Sequence, residues 1–194
     1  VHLHNHSDYS LLDGAMKIKT MVEKAASLGQ PALALTDHGN LFGAVEFYLA
    51  CKKAGIKPIL GMEAYVARDR KDRSTRDAQR NNHLVLLARN GQGCRNLVKL
   101  ASHAYLEGFY YKPRIDKELL SAHSEGLIGL SACLAGEPNA LLARGQVDAA
   151  IAAAADYRDI LGRDHYFLEI QNHGLPEEEK VRQLMPAVAR EVGV

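Results

Sequence analysis

Short apolar runs alternate with amphipathic stretches along the chain. Five runs predict buried strands: 32–36, 57–66, 83–88, 126–132 and 165–171. Five segments with apolar residues at helical spacing lie between or after them: 16–28, 41–54, 92–105, 140–161 and 176–192. In the second of these helices, Phe42, Val45 and Leu49 fall on one side. The alternation predicts an α/β fold with a parallel sheet, either open or closed into a barrel.

One segment, residues 68–82, interrupts this pattern. Nine of its 15 residues are charged, six basic and three acidic, and its sequence has no apolar periodicity. We expect an exposed, mobile loop inserted into the domain. The simplest interpretation is a solvated insert without a function of its own.

Charge and cysteine content narrow the class of protein. The 194 residues include 24 basic and 23 acidic side chains, which excludes a strongly basic nucleic-acid module but allows a local basic patch. Three cysteines without paired spacing argue against a disulfide framework and favour a reducing compartment. The sequence has no apolar run of about 18 residues and no basic-then-apolar leader. We therefore expect a cytoplasmic protein without a membrane partner.

Residues of metal-binding type follow or lie within several of the predicted apolar runs: His4, His6, Asp13, His38, Glu63 and Cys133. The carboxyl ends of parallel strands in α/β folds meet at one rim, where functional sites are built. Imidazole, carboxylate and thiolate groups together are the ligands of zinc and related transition metals. The sequence therefore predicts a metal site at this rim. A site with several metals implies hydrolysis of phosphate esters by a metal-activated water.

Spacing leaves several assignments open. Side chains two residues apart on a strand share a face, so either His2 with His4 or His4 with His6 could bind one ion. Asp37 is expected to orient His38 rather than to bind metal directly. Asp13, which precedes a glycine, could instead be a turn residue.

Other candidates remain ambiguous from the residues alone. Cys133 could be a small buried residue. His83 begins its predicted strand, so the rim argument does not place it. Glu169 and His173 lie at the end of the last predicted strand and are expected near the site only.

Several motifs together resemble one family. They lie at residues 4–15 (HNHSDYSLLDGA), 32–48, 55–66, 82–90, 96–116, 126–137 and 168–178 (LEIQNHGLPEE). These segments closely resemble the N-terminal PHP (polymerase and histidinol phosphatase) domain of bacterial replicative DNA polymerase III alpha subunits, over essentially all 194 residues. The resemblance implies one PHP domain over residues 1–194, a distorted (β/α)7 TIM-like barrel that lacks its C-terminal end.

The resemblance also implies a ligand set. The family ligands correspond to His4, His6, Asp13, His38, Glu63, His83 and Cys133. His2 is then not a ligand, and His83 becomes one. The family site resembles a cluster of up to three zinc or manganese ions, and its last aspartate and histidine would lie beyond Val194.

Family members with an intact site are linked to metal-dependent 3′–5′ exonuclease or phosphoesterase activity. The expected partners are the 3′ end of DNA and the polymerase and proofreading subunits, with polymerisation itself in a later domain. Lys112 and Arg114, beside Tyr110 and Tyr111, could contact phosphates and stack bases. Two alternatives remain: a stand-alone PHP phosphatase acting on a small phosphate ester, and a metal-stabilised scaffold without turnover.

Overall fold

A computed structural model describes residues 1–11, 13–74 and 79–194. Its strands are β1 (Ala32–Leu35), β2 (Lys57–Val66), β3 (Asn82–Ala88), β4 (Arg114–Ile115), β5 (Leu127–Leu130) and β6 (Tyr166–Phe167). Its α-helices are α1 (Ile18–Ser27), α2 (Ala44–Ala54), α3 (Gly91–Leu106), α4 (Lys117–Ala122), α5 (Glu137–Ala143), α6 (Val147–Leu161) and α7 (Pro176–Val192). No helix in these described ranges is long and apolar enough to cross a membrane.

The strands form one mixed sheet in the order β1-β2-β3-β5-β6, and the short β4 pairs with the end of β2. β1 runs parallel to β2, and β5 runs parallel to β6. β3 runs antiparallel to both β2 and β5, so the predicted parallel alignment is wrong at this strand. The charged segment, rather than an amphipathic crossover helix, joins β2 to β3. When two consecutive strands are not joined by such a crossover, they usually pair with each other in antiparallel orientation.

The reversed direction of β3 places its first residues at the rim where β1 and β5 end. The backbone N–H of His83 donates to the carbonyl of Ala135, at 3.0 Å, in the segment that follows β5. On its other side, His83 pairs with Tyr65 near the end of β2. The start of β3 therefore belongs to the same rim as the predicted metal ligands.

Strand alternation separates the apolar core from the site. Met62 and Ala64 of β2 are buried on the face that packs against the helices, together with Leu84 and Leu86 of β3. Glu63 lies between Met62 and Ala64 and therefore points to the opposite face. A separate apolar cluster joins α1 and α2 to β1. The helices thus cover one face of the central strands. The other face carries a third apolar cluster, which includes Val85 and Leu87, and Glu63 lies beside Val85 toward the rim of the sheet.

Some local predictions need adjustment. The argument that paired histidines share a face assumes a strand at residues 2–6, but these residues form no strand, although Ala34 N–H donates to the His2 carbonyl at 3.0 Å beside β1. The segment 140–161 is helical as predicted, and the break that the sequence allows at Gly145 is present. It separates α5 from α6, and the φ of +77° at Gly145 favours glycine. The short β4 and α4 were not predicted.

The charged segment is only partly the solvated loop that composition predicts. Arg70 is buried, and its Nη1 lies 2.9 Å from the Asp116 carboxylate. Arg114 is fully buried and donates to the carbonyls of Gly108 at 2.8 Å, Arg70 at 2.7 Å and Asp72 at 2.8 Å. These contacts attach the first half of the segment to the core. Residues 75–78, also part of the predicted loop, lie outside the described residues.

We predict that Arg114→Ala lowers the free energy of unfolding by about 3–5 kcal/mol, because three buried carbonyl oxygens lose a charged donor. Urea denaturation of the two proteins measures the difference. Arg95→Ala is the control, since Arg95 is exposed and bonds only to Gln92 within its own helix among the contacts described. A loss below about 1 kcal/mol for Arg114→Ala would contradict this structural role.

Candidate metal centre

The Glu63 carboxylate lies at the centre of four imidazole rings and is almost completely buried. Its Oε2 is 3.1 Å from His6 Nε2 and 3.0 Å from His38 Nδ1. Its Oε1 is 2.9 Å from His83 Nδ1 and 3.4 Å from His4 Nε2. One carboxylate thus joins ligand-type side chains from three other segments of the chain.

Backbone pairing explains why these segments converge. The chain beyond β1 continues along β2, so His38 pairs with Glu63 in a parallel bridge. In the antiparallel pairing of β2 and β3, His83 lies opposite Tyr65, two residues from Glu63 on the same face. The His4–His6 segment is held beside β1 by the Thr36 N–H, which donates to the Asn5 carbonyl at 2.9 Å.

Asp13 and Cys133 complete the set at opposite sides of the cluster. Asp13 Oδ2 is 2.6 Å from His38 Nε2, so His38 lies between two carboxylates. Cys133 Sγ is 3.6 Å from His83 Nδ1 and 3.8 Å from Glu63 Oε1. All seven predicted ligands therefore line one cavity of about 260 Å³, together with Gln171 and His173.

A tight loop brings Asp13 to this position. A Cβ atom at Gly14 would lie 1.6 Å from the Ser7 carbonyl oxygen, so only glycine allows the loop to close in this way. The Asp13 N–H donates to the Ser10 carbonyl at 3.0 Å, which fixes the turn. The turn interpretation and the ligand interpretation of Asp13 are therefore compatible.

The ligand atoms form three overlapping groups within the described ranges. The groups are His4, His6 and Glu63; His6, Asp13 and His38; and His38, Glu63 and His83. Within each group the nitrogen and oxygen atoms lie within 4.8 Å of one another. Because neighbouring groups share a residue, ions bound to them would lie close together and share ligands.

The protonation of the cluster fits a site for cations. Burial alone would raise the pKa of the Glu63 carboxyl, but the four imidazoles hold it well below its usual range. Burial opposes protonation of His4, yet the hydrogen bonds with Glu169 and Glu63 raise its pKa to about 10. The pKa of His38 is also raised, by Glu63 and Asp13 against the effect of burial. Without a metal, protons therefore supply the positive charge that Glu63 requires.

Two buried atoms support ligation more directly. His38 Nδ1 and Glu63 Oε2 are 3.0 Å apart, yet neither has a hydrogen-bond partner in the described part of the chain. Buried polar atoms are normally paired, and a shared ion is one of the few reasons why two such atoms lie together without a hydrogen bond. Burial raises the pKa of the Cys133 thiol to about 11, so that thiol needs a cation to become a ligand. The residues present therefore fit a transition-metal site.

A second layer of side chains fixes the orientation of two histidines. Glu169 accepts from His4 Nδ1 at 2.9 Å, which leaves His4 Nε2 directed at the cluster. Gln171 Nε2 donates to Glu169 at 2.7 Å. The position of Glu169 after the last strand indicated its proximity to the site, whereas nothing in the sequence indicated Gln171.

Asp37 supports the cluster in a different way from the one predicted. It is buried and accepts from the Ser7 N–H at 2.6 Å and from the Ser10 hydroxyl at 2.8 Å. Ser10 Oγ in turn lies 3.4 Å from His6 Nδ1. The Asp37 side chain therefore holds the loop that carries His6, rather than the ring of His38.

The structure gives different roles to Lys112 and Arg114, the two residues predicted to contact phosphates. Lys112 lies near the cluster, with its Nζ 3.5 Å from the Tyr65 hydroxyl. Arg114 does not reach the surface, because its guanidinium is buried against backbone carbonyls. The expectation that Arg114 contacts phosphate is therefore corrected to a structural role.

Comparison with known proteins identifies the family. The family model described as the PHP domain matches residues 2–173. The chain is 54% identical over 196 residues to a DNA polymerase III subunit alpha from Treponema pallidum, and 50% identical over 202 residues to one from Thermus aquaticus. Both alignments cover 100% of this chain but only 17% and 16% of those relatives.

A solved structure shows the same fold. It is a protein from Bifidobacterium adolescentis, provisionally named a metal-dependent phosphoesterase, and it matches 99% of this chain and 83% of its own chain. The TM-score is 0.58 and the sequence identity is 17%, so the likeness concerns the distorted TIM-like barrel alone. Taken with the match over residues 2–173, these similarities show that the chain belongs to the PHP domain family.

Proposed function

We propose that this domain is a metal-dependent phosphodiesterase that acts as a 3′–5′ exonuclease within a bacterial DNA polymerase III alpha subunit in the cytoplasm. The observation that carries the proposal is the buried Glu63 carboxylate surrounded by four histidines, with Asp13 and Cys133 beside them. Clusters of overlapping ligand groups suit neighbouring ions, and paired ions suit phosphodiester hydrolysis.

The proposed ligands are seven of the side chains that line the cavity: His4, His6, Asp13, His38, Glu63, His83 and Cys133. This mixture of imidazole, carboxylate and thiol groups favours zinc or manganese, with up to three ions in the overlapping groups. When bound, such ions make water nucleophilic at neutral pH and neutralise charge on a phosphate.

Residues of the chain perform the remaining tasks. The Glu169 carboxylate keeps the proton of His4 on Nδ1, so that Nε2 remains available for ligation. Ser10, held by Asp37, limits the rotation of the His6 ring. Lys112 lies beside the cavity, and we propose that its ammonium group contacts a DNA phosphate.

The similarity to polymerase subunits supports the DNA substrate. Because identity extends along this entire chain, we place the domain in a replicative polymerase rather than in a stand-alone phosphatase. We further propose that DNA-directed polymerisation, and the contacts with proofreading subunits, reside in the same longer protein. A metal-stabilised scaffold without turnover is the main rival, because a buried metal cluster would also stabilise the fold.

In the full-length polymerase, His6→Ala should reduce release of the 3′-terminal nucleotide from single-stranded DNA by at least about 100-fold while primer extension remains within about twofold. The reason is that His6 belongs to two of the three ligand groups. Both rates are measured on the same labelled oligonucleotides.

The matched control is His2→Ala. His2 is exposed and lies four residues before His6, so its removal should leave both activities unchanged. Loss of both activities in His6→Ala, with a large fall in melting temperature, would support the scaffold instead. Unchanged nuclease activity would contradict the proposal.

Metal affinity should rise with pH. His4, with a pKa of about 10 in the metal-free site, carries a proton at pH 7 that an ion must displace, whereas Glu63 stays ionised. Raising the pH removes this competition, so the affinity for Mn²⁺ should increase by about tenfold per pH unit for each displaced proton.

Calorimetric titration at pH 6.5, 7.5 and 8.5, in two buffers with different ionisation enthalpies, counts the protons. Glu169→Gln removes a partner that raises the pKa of His4, so its affinity should depend less on pH. An affinity that does not change with pH in the unmodified protein would contradict this account of the site.

A further inference from the structure

A second cleft adjoins the metal centre. Its volume is about 470 Å³, and the side chains that form its aromatic and basic wall are Tyr9, Phe42, Tyr65, Tyr105, Lys112 and Pro113. It shares Asp13, His38 and His83 with the cavity that holds the proposed ligands. This aromatic cleft, as we call it, is therefore continuous with the metal centre.

A column of stacked rings connects the two spaces. The rings of His6 and His38 are 4.3 Å apart and nearly parallel, at 7°. The rings of His38 and Tyr65 follow at 5.6 Å and 14°. Lys112 Nζ lies 5.1 Å from the centroid of the Tyr65 ring. A ligand bound at the metal centre would thus lie close to the Tyr65 ring and to the positive charge of Lys112.

Exposed aromatic surface stands at the mouth of the cleft. Phe42 is 65% exposed and Tyr105 is 39% exposed, and their ring centroids are 6.0 Å apart. Tyr9, which also lines the cleft, is 39% exposed as well. Clustered apolar side chains next to a polar site indicate a binding surface more strongly than isolated ones do.

We infer that the aromatic cleft binds the base and sugar of the nucleotide whose phosphate is held at the metal centre. The base stacks on Tyr105 and Phe42, and Lys112 contacts a neighbouring phosphate. Stacking on aromatic rings is tolerant of base identity, which suits an enzyme that must remove any 3′-terminal nucleotide. The inference rests on the proposed function, because it requires a phosphate at the metal centre.

The chemistry of the cleft favours a nucleotide over an apolar protein segment. Lys112 supplies a positive charge beside the rings, and the three shared residues open onto a site for cations that attract phosphate. The Asp13 carboxylate is one of the proposed metal ligands and lies 2.6 Å from His38, so a bound cation would compensate its negative charge in the cleft. The volume is also within the range of about 300–1,000 Å³ that small ligands occupy.

Binding of a fluorescent product analogue tests the inference without any bond cleavage. The probe is the 5′-monophosphate of 2-aminopurine deoxyriboside, whose fluorescence falls on stacking, added to the full-length protein loaded with Mn²⁺. Inorganic phosphate, which lacks the base, serves as the competitor. We expect the probe to bind at least about tenfold more tightly than phosphate, with quenched fluorescence.

Tyr105→Ala and Phe42→Ala should each weaken probe binding by about five- to 100-fold, the factor given by base–aromatic stacking, while the affinity for phosphate stays within about twofold. Tyr48→Ala is the matched control, because Tyr48 is 45% exposed but does not line the cleft. A probe that binds no more tightly than phosphate would overturn the inference. Unchanged probe binding in both variants would also overturn it. If binding is unchanged and the melting temperatures of the variants fall, the rings pack against another protein segment instead of a base, and the inference is again overturned.

Failure of the proposed function gives a different result. If the unmodified protein binds the probe as expected but releases no nucleotide from single-stranded DNA, the nucleotide subsite stands and the exonuclease proposal fails. If the protein is an active exonuclease and Tyr105→Ala changes neither KM nor kcat, the exonuclease stands and the subsite fails.

Discussion

The burial of one carboxylate among four imidazoles is the interaction on which the site depends. Glu63 lies within β2, the longest of the described strands, where its neighbours pack into the apolar core. An unpaired charge at this depth would be strongly destabilising, so the surrounding histidines must carry positive charge or share an ion with it. The same requirement explains why protons occupy the site without metal, and why metal binding and protonation compete.

The direction of β3 makes this arrangement possible. In a fully parallel sheet, a residue that begins a strand would lie at the opposite end from the ligands that follow other strands. Because β3 is antiparallel to β2 and β5, His83 enters the site from the start of its strand. The segment after β5 then passes beside His83 and brings Cys133 to the same rim. Sheet topology and ligand geometry therefore depend on each other.

Much of the site was predictable from the sequence, but the positions of some residues were not. The clustering of His4, His6 and His38 with Glu63 followed from the positions of the histidines after apolar runs and of Glu63 within one, since strand ends converge. His83 could not be placed by this argument, because strand direction depends on pairing between distant segments; only the family resemblance indicated it. Arg114 was mistaken for a surface cation, since local sequence does not reveal the buried carbonyl oxygens that it satisfies.

The metal content of the purified protein tests the central claim most directly. Elemental analysis after purification without chelator or added metal should find about two or more equivalents of zinc, manganese or iron. Glu63→Gln, which preserves the shape of the side chain but removes its charge, should reduce this below about one equivalent. The account is contradicted if the unmodified protein holds less than about a tenth of an equivalent, or if Glu63→Gln retains the full metal content.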